Sequence, residues 1–125
     1  MITKYRPINL ALWTIRFPIT AIISILHRIS GFVLFLLIPC ILWLWQYSLI
    51  SIDNFNRVKD SFMSWPVKFI LWVSLLALVY HLIAGVRHLI MDMHIGDSKR
   101  GGKLGSYCVL AITAMFGIVF GVYLW

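Results

Sequence analysis

Acidic residues are scarce in this chain of 125 residues, and charge of either sign is sparse. Asp and Glu together number four, against eleven Lys and Arg, and charged residues make up only 12% of the sequence. So little charge beside 62% hydrophobic residues excludes a soluble globular domain and a disordered chain, which both need more polar residues. The composition is that of an integral membrane protein.

Cysteine is almost as scarce. Cys40 and Cys108 are too few to hold an iron–sulfur cluster, and no Cys-x-x-Cys-His segment is present to attach haem covalently. Their expected depths in the membrane differ by about 12 Å, which disfavours a disulfide. A glycine-rich dinucleotide-binding fingerprint is also absent, so flavin and cluster chemistry would belong to other chains.

Long apolar runs are what the chain has in abundance. Three runs without charge cover residues 29–50, 69–86 and 104–125. Each meets the requirement of roughly 20 apolar residues for crossing about 30 Å of hydrocarbon. We therefore predict an all-α integral membrane protein with three transmembrane helices in one domain, residues 1–125. The predicted parts are an inner-face arm at 1–17, helices at about 18–49, 66–91 and 104–125, and loops at 51–64 and 96–102.

The basic residues predict the orientation. Eight of the eleven Lys and Arg lie before the first span or between the second and third spans, and three lie between the first and second spans. By the positive-inside rule the N-terminus faces the cytoplasm, or the matrix in a mitochondrion. Because these charges bracket membrane spans instead of forming one soluble face, no nucleic-acid partner is expected.

The second predicted span carries ionisable groups that a membrane disfavours. His81 lies about ten residues inside the polar end of its helix, where an ionisable residue is a functional candidate by default. At about 100° per residue, Ala84, Gly85, His88 and Asp92 fall near the same face. An imidazole beside small residues suits a flat macrocycle that approaches the backbone. This face predicts a b-type haem with His81 as iron ligand.

The expected depth of the neighbouring residues agrees with a haem. His88 lies about 10 Å nearer the inner surface than His81, level with His27 and Arg28. Cationic side chains there would bind the carboxylates of the haem. The alternative is that His81 is only a hydrogen-bonding group between helices. Arg87 lies about 120° from this face, so we expect it to contact lipid phosphate or a partner and not the cofactor.

Ser24 and Arg28 form a second constellation, one helical turn apart on the same face. A hydroxyl and a guanidinium near the inner interface can donate to the carbonyl oxygens of a quinone. Asp92 is placed to pair with Arg28 or to take part in proton delivery. The alternative is that Arg28 snorkels to the interface and Ser24 caps a helix.

Three segments carry a family resemblance: Arg6-Pro7, Ser24-x2-His27-Arg28-x-Ser30-Gly31 and His81-x3-Gly85-x-Arg87-His88-x3-Asp92. Together they resemble the bacterial cytochrome b membrane-anchor subunit of succinate dehydrogenase (complex II), over nearly the whole chain. The resemblance implies a multi-pass protein of the bacterial inner membrane, with a cytoplasmic N-terminus, within a helical bundle of different subunits. The glycine-rich, basic stretch 96–105 departs from the family.

The resemblance also implies roles for residues and partners. His81 would be an axial ligand of haem b, and a second anchor subunit would supply the other axial histidine. Ser24 and Arg28 would line the ubiquinone site with Asp92 close by, and His27 and His88 would lie near the propionates, beside Gly85. An iron–sulfur subunit and a flavoprotein subunit would bind on the inner face and oxidise succinate in the tricarboxylic acid cycle. No catalytic residue is expected in this chain.

Two other functions are open at this point. A fumarate reductase anchor would run the opposite reaction with menaquinone and a similar architecture. A structural or transport subunit without redox function would need no cofactor.

Overall fold

A computed structural model describes residues 16–96 and 98–125. They form four helices: α1 (Ile19–Ile50), α2 (Ile52–Ser61), α3 (Trp65–Asp92) and α4 (Lys99–Leu124). Helices α1, α3 and α4 are long and apolar enough to cross a membrane, which confirms the all-α class with three spans. Nearly all of the predicted inner-face arm, residues 1–15, lies outside the described residues, as does Asp97.

Proline marks the start of two of the long helices. Pro18 occupies the N-cap position of α1, and Pro66 lies in the first turn of α3. The fixed φ of proline suits these positions, and its missing N–H leaves no intrahelical bond unmade there. With 32 residues, α1 is about 48 Å long and exceeds the hydrocarbon thickness, so one end extends into the headgroup region.

The connection between the first two spans is helical, so the prediction of a loop was wrong over Ile52–Ser61. The Ser51 hydroxyl caps α2 by accepting the backbone N–H of Asn54 at 3.1 Å. Phe55 and Val58 follow Ile52 at intervals of three residues and give this short helix an apolar side. The prediction of a loop gave too much weight to the polar residues between these apolar positions.

Helix α4 begins at Lys99, five residues before the predicted start, so part of the predicted inner loop is helical. The hydroxyl of Ser98 accepts the N–H of Gly101 at 3.1 Å and caps the first turn. This cap offsets the helix-weakening effect of the glycines that follow it. The chain leaves α3 through His94 and Gly96, both with positive φ, at 61° and 73°.

Helix α3 is the central helix and packs against both α1 and α4. Their shared core consists of four buried residues: Ile23, Tyr80, Ala84 and Val109. The Tyr80 hydroxyl donates to the Ile23 carbonyl at 2.8 Å and ties α3 to α1. Toward the other end, the Trp72 indole donates to the Gly117 carbonyl of α4 at 2.8 Å. These ties fix the face that α3 turns toward α1.

The structure corrects the expected contact of Arg87, which is with α4 of the same chain. Its side chain is 9% exposed and lies between α3 and α4, where Nη2 donates to the Gly102 carbonyl at 2.9 Å. A Cβ atom on Gly105 would lie 3.0 Å from the Arg87 Nε, so the arginine side chain packs closely over this glycine. The helical angle placed Arg87 away from the histidine face, as the structure does. The helical angle could not show that α4, and not lipid, covers the side of α3 that carries Arg87.

Candidate functional site

The N-terminal half of α1 and the C-terminal half of α3 bring three histidines together. His27 lies on α1, and His81 and His88 lie seven residues apart on α3, a spacing that keeps both on one face. The rings of His27 and His81 stack, with centroids 4.1 Å apart and planes inclined by 10°. The His88 ring meets His27 edge-on at 5.1 Å and 70°. We call these three residues the histidine cluster.

The Nδ1 atom of His81 faces the backbone of α1. It lies 3.2 Å from the carbonyl oxygen of His27 and 3.1 Å from the Ser30 hydroxyl oxygen. A carbonyl oxygen can only accept a hydrogen bond, so Nδ1 carries the proton in the neutral ring and Nε2 keeps its lone pair. This tautomer presents Nε2 as a free ligand atom for a metal.

Glycines on both helices make room for the imidazole rings. A Cβ atom on Gly31 would lie 2.9 Å from His81 Cε1, and one on Gly85 would lie 3.2 Å from His27 Nε2. Each helix therefore carries a glycine where the histidine of the other helix packs. Gly85 was assigned from the sequence as space for a macrocycle, whereas in the structure His27 lies against it. Ala84 is fully buried in the core and borders no open slot.

Sequence reasoning missed the parts played by Ser30 and Gly31. Both follow His27 by three and four residues, a spacing that puts them on the same face of α1. That spacing was a usable signal, but only the packing of α1 against α3 shows that they contact His81.

The three predicted quinone-site residues lie near the start of α1 and the end of α3. Ser24 is half-buried and Arg28 is exposed, one turn apart on α1. Asp92 is the last residue of α3 and is also exposed. The side chains of Arg28 and Asp92 are thus accessible at the end where His27 meets His88.

A basic cleft opens between the start of α1, the end of α3 and the start of α4. It has a volume of about 670 Å³, and Pro18, Thr20 and Met91 line its walls. Lys99, Arg100 and Lys103 add positive charge from the first turns of α4, where no acidic residue is present. The N-terminal end of a helix is itself positive, so the cleft favours an anionic partner.

Within residues 16–96 and 98–125, no group of three or more His, Cys, Asp or Glu side chains is placed to hold a metal ion. A haem iron differs from such a site because the porphyrin supplies four nitrogens and the protein supplies only axial ligands. One available histidine nitrogen is therefore all that this chain needs to contribute.

Comparison with known proteins agrees with this geometry. The family described as "Succinate dehydrogenase/Fumarate reductase transmembrane subunit" matches residues 2–120. The succinate dehydrogenase cytochrome b556 subunit of Coxiella burnetii is 38% identical over 122 residues, covering 96% of this chain and 97% of the relative. The subunit of the same name from Paracoccus denitrificans is 38% identical over 114 residues, with 91% and 88% covered.

The name cytochrome b560 occurs among the relatives as well. The cytochrome b560 subunit of succinate dehydrogenase from Reclinomonas americana is 33% identical over 122 residues, covering 91% of this chain and 83% of the relative. The likeness covers most of the length of both proteins and is not confined to one short segment. The chain therefore belongs to the family of succinate dehydrogenase/fumarate reductase transmembrane subunits, alongside the cytochrome b556 membrane anchors of succinate dehydrogenase.

Proposed function

We propose that this subunit of the succinate dehydrogenase complex binds haem b jointly with a second anchor subunit and helps to form the site of ubiquinone reduction. The observation that carries the proposal is the orientation of His81, whose Nδ1 faces the His27 carbonyl and leaves Nε2 available. The relatives are named cytochrome b556 subunits, which supports haem of the b type.

His81 is the proposed axial ligand from this chain, and the second anchor subunit supplies the other. His27, Arg28 and His88 are the proposed partners of the haem carboxylates, because imidazole and guanidinium N–H groups form strong hydrogen bonds with carboxylates. Gly85 belongs to the haem-binding face because it leaves space for His27. When bound, haem b supplies a one-electron carrier within the membrane.

The proposed quinone site consists of Ser24, Arg28 and Asp92. The exposed guanidinium of Arg28 and the hydroxyl of Ser24 can donate hydrogen bonds to the carbonyl oxygens of a ubiquinone head group. Asp92 lies at the polar end of α3, where it can orient Arg28 or pass protons from the inner side. Electrons would arrive from the iron–sulfur subunit.

The inner face is the proposed docking surface for the soluble subunits. The cleft with Lys99, Arg100 and Lys103 puts positive charge on the side that the positive-inside rule assigns to the cytoplasm of a bacterial inner membrane. The iron–sulfur and flavoprotein subunits would bind there and carry out succinate oxidation. Lipid covers the exposed apolar surface of the spans.

The decisive test of haem binding is a reduced-minus-oxidised absorption spectrum of the purified complex. A b-type Soret band and α band are expected, together with a stoichiometric amount of extractable haem. A complex that contains this subunit but shows neither band would overturn the haem assignment and favour a structural subunit without redox function.

Fumarate reduction is the second candidate because the matching family covers anchors of both enzymes. Turnover rates distinguish the two functions. The purified complex should reduce ubiquinone with succinate faster than it reduces fumarate with menaquinol. The opposite ratio would favour a fumarate reductase anchor.

A further inference from the structure

Ser30 is a buried polar residue for which the proposed haem and quinone sites have no use. Its side chain is 7% exposed and lies in the contact between α1 and α3. The hydroxyl donates to the carbonyl oxygen of His27, three residues earlier, at 2.8 Å. A serine in a membrane helix often makes such a bond to its own backbone, so this bond alone indicates no function.

The second contact of Ser30 sets it apart. Its Oγ lies 3.1 Å from His81 Nδ1, and the His27 carbonyl that accepts the Ser30 proton lies 3.2 Å from the same nitrogen. Because the hydroxyl proton points to the carbonyl, a lone pair of Oγ faces the ring. The Nδ1–H of His81 is therefore shared between two acceptors, both on α1.

The two acceptors hold the ring more firmly than one would. The bond to Ser30 fixes the rotation of the imidazole about the Cβ–Cγ bond of His81. The bond to the His27 carbonyl fixes the tautomer. The missing side chain of Gly31 leaves room for the ring against α1, since a Cβ atom there would lie 2.9 Å from Cε1. The direction of the Nε2 lone pair is thus determined by α1, although His81 belongs to α3.

We propose that Ser30 is a positioning residue for His81, and that its hydroxyl orients the ring and tunes the reduction potential of the haem. This inference rests on the proposed role of His81 as axial ligand. A hydrogen bond from Nδ1–H to an acceptor makes Nε2 a stronger electron donor. A stronger donor stabilises ferric iron, so loss of the Ser30 oxygen should raise the reduction potential.

The chain offers a matched control on the same helix. Ser48 donates to the carbonyl of Trp45, also three residues earlier, at 2.7 Å, and this pair has no histidine beside it. Ser48→Ala removes the same kind of intrahelical bond as Ser30→Ala. A difference between the two variants therefore reports the contact with His81 and not a general effect on α1.

The experiment compares Ser30→Ala, Ser30→Thr and Ser48→Ala in the purified complex. The measurements are haem content, the midpoint potential by redox titration and the EPR spectrum of the ferric haem. We expect Ser30→Ala to retain haem, with a raised potential and shifted g values. Ser30→Thr keeps the hydroxyl and should restore both quantities toward wild type, and Ser48→Ala should change neither.

Two results would overturn the proposal: an unchanged potential and EPR spectrum in Ser30→Ala, or an equal shift in Ser48→Ala. If the Ser30→Ala complex assembles without haem, Ser30→Cys is the deciding variant. The thiol keeps the volume of the side chain but is a weak hydrogen-bond acceptor, so Ser30→Cys should also raise the reduction potential. An unshifted Ser30→Cys would then reject the proposal. A separate result would show that the assignment of His81 as haem ligand is itself wrong: a His81 variant with full haem content and an unaltered spectrum.

Discussion

The imidazole rings of His27 and His81 lie face to face, 4.1 Å between centroids and inclined by 10°, although 53 residues separate them in the sequence. Their stacking is the contact on which the candidate site depends, because it joins α1 to α3 at the level of the proposed haem. It also explains why a glycine on each helix is needed next to the ring of the other helix.

Replacement of His81 by Leu should remove the axial ligand. We expect loss or displacement of haem b, seen as a weaker and shifted α band in the spectrum of the purified complex. His94→Asn is the control, since His94 is an exposed histidine in the turn after α3 and Asn tolerates its positive φ. An unchanged spectrum and haem content in His81→Leu would mean that His81 is not an axial ligand. Double variants that also replace His27 or His88 would show that neither histidine substitutes for it.

Gly31→Ala should disturb the site from α1. The new methyl group would lie 2.9 Å from His81 Cε1, so the ring or the helix must move. We expect a destabilisation of about 1–3 kcal/mol from overpacking, and a lower haem content in the purified complex. The matched control is Gly121→Ala, where the methyl group would meet only the Trp72 indole at an ordinary 3.6 Å. Equal haem content in the two variants would contradict the close packing around His81.

Arg28→Ala should impair the quinone reaction selectively. We expect succinate–ubiquinone turnover to fall about tenfold or more, while succinate oxidation with an artificial acceptor changes little, because in the proposed complex the flavin and clusters lie on other subunits. Arg57→Ala is the control, an exposed arginine on α2 near the opposite end of the spans. An equal loss of both activities in Arg28→Ala would mean that Arg28 serves assembly instead of quinone binding.

Arg87→Leu should weaken the pairing of α3 with α4. It removes the donor to the Gly102 carbonyl, a buried bond for which a loss of about 1–3 kcal/mol is typical. We expect a lower thermal unfolding temperature of the complex and little change in the haem spectrum, because Arg87 faces away from the histidine cluster. Arg57→Leu, the same substitution at an exposed position of α2, should leave the unfolding temperature near that of wild type.

Some features of this protein follow from the sequence because they depend on local properties. An apolar run long enough to cross a bilayer predicts a membrane-spanning helix without reference to its neighbours, and this chain has three such runs. Pro18 and Pro66 mark where two of the helices begin. The 3.6-residue period puts His81 and His88 on one face without reference to any other helix. The family itself was recognisable from the two histidine-bearing motifs.

Other features needed the tertiary structure. The helical form of α2 and the early start of α4 were not predicted, because both helices begin at a serine cap, Ser51 or Ser98, within a polar stretch. The burial of Arg87 depends on which helix covers its face of α3. A helical wheel gives the direction of a side chain but not the neighbour that it meets.

The candidate site shows the same division. The sequence by itself determined that a histidine-bearing face exists within a membrane helix and that small residues accompany it. Only the packing of α1 against α3 decided that the ring of His27 fills the space over Gly85, and that Ser30 and the His27 carbonyl share the proton of His81. The reason is physical: periodicity within a helix is set by local backbone geometry, whereas the partner of each side chain is set by contacts between residues far apart in the chain.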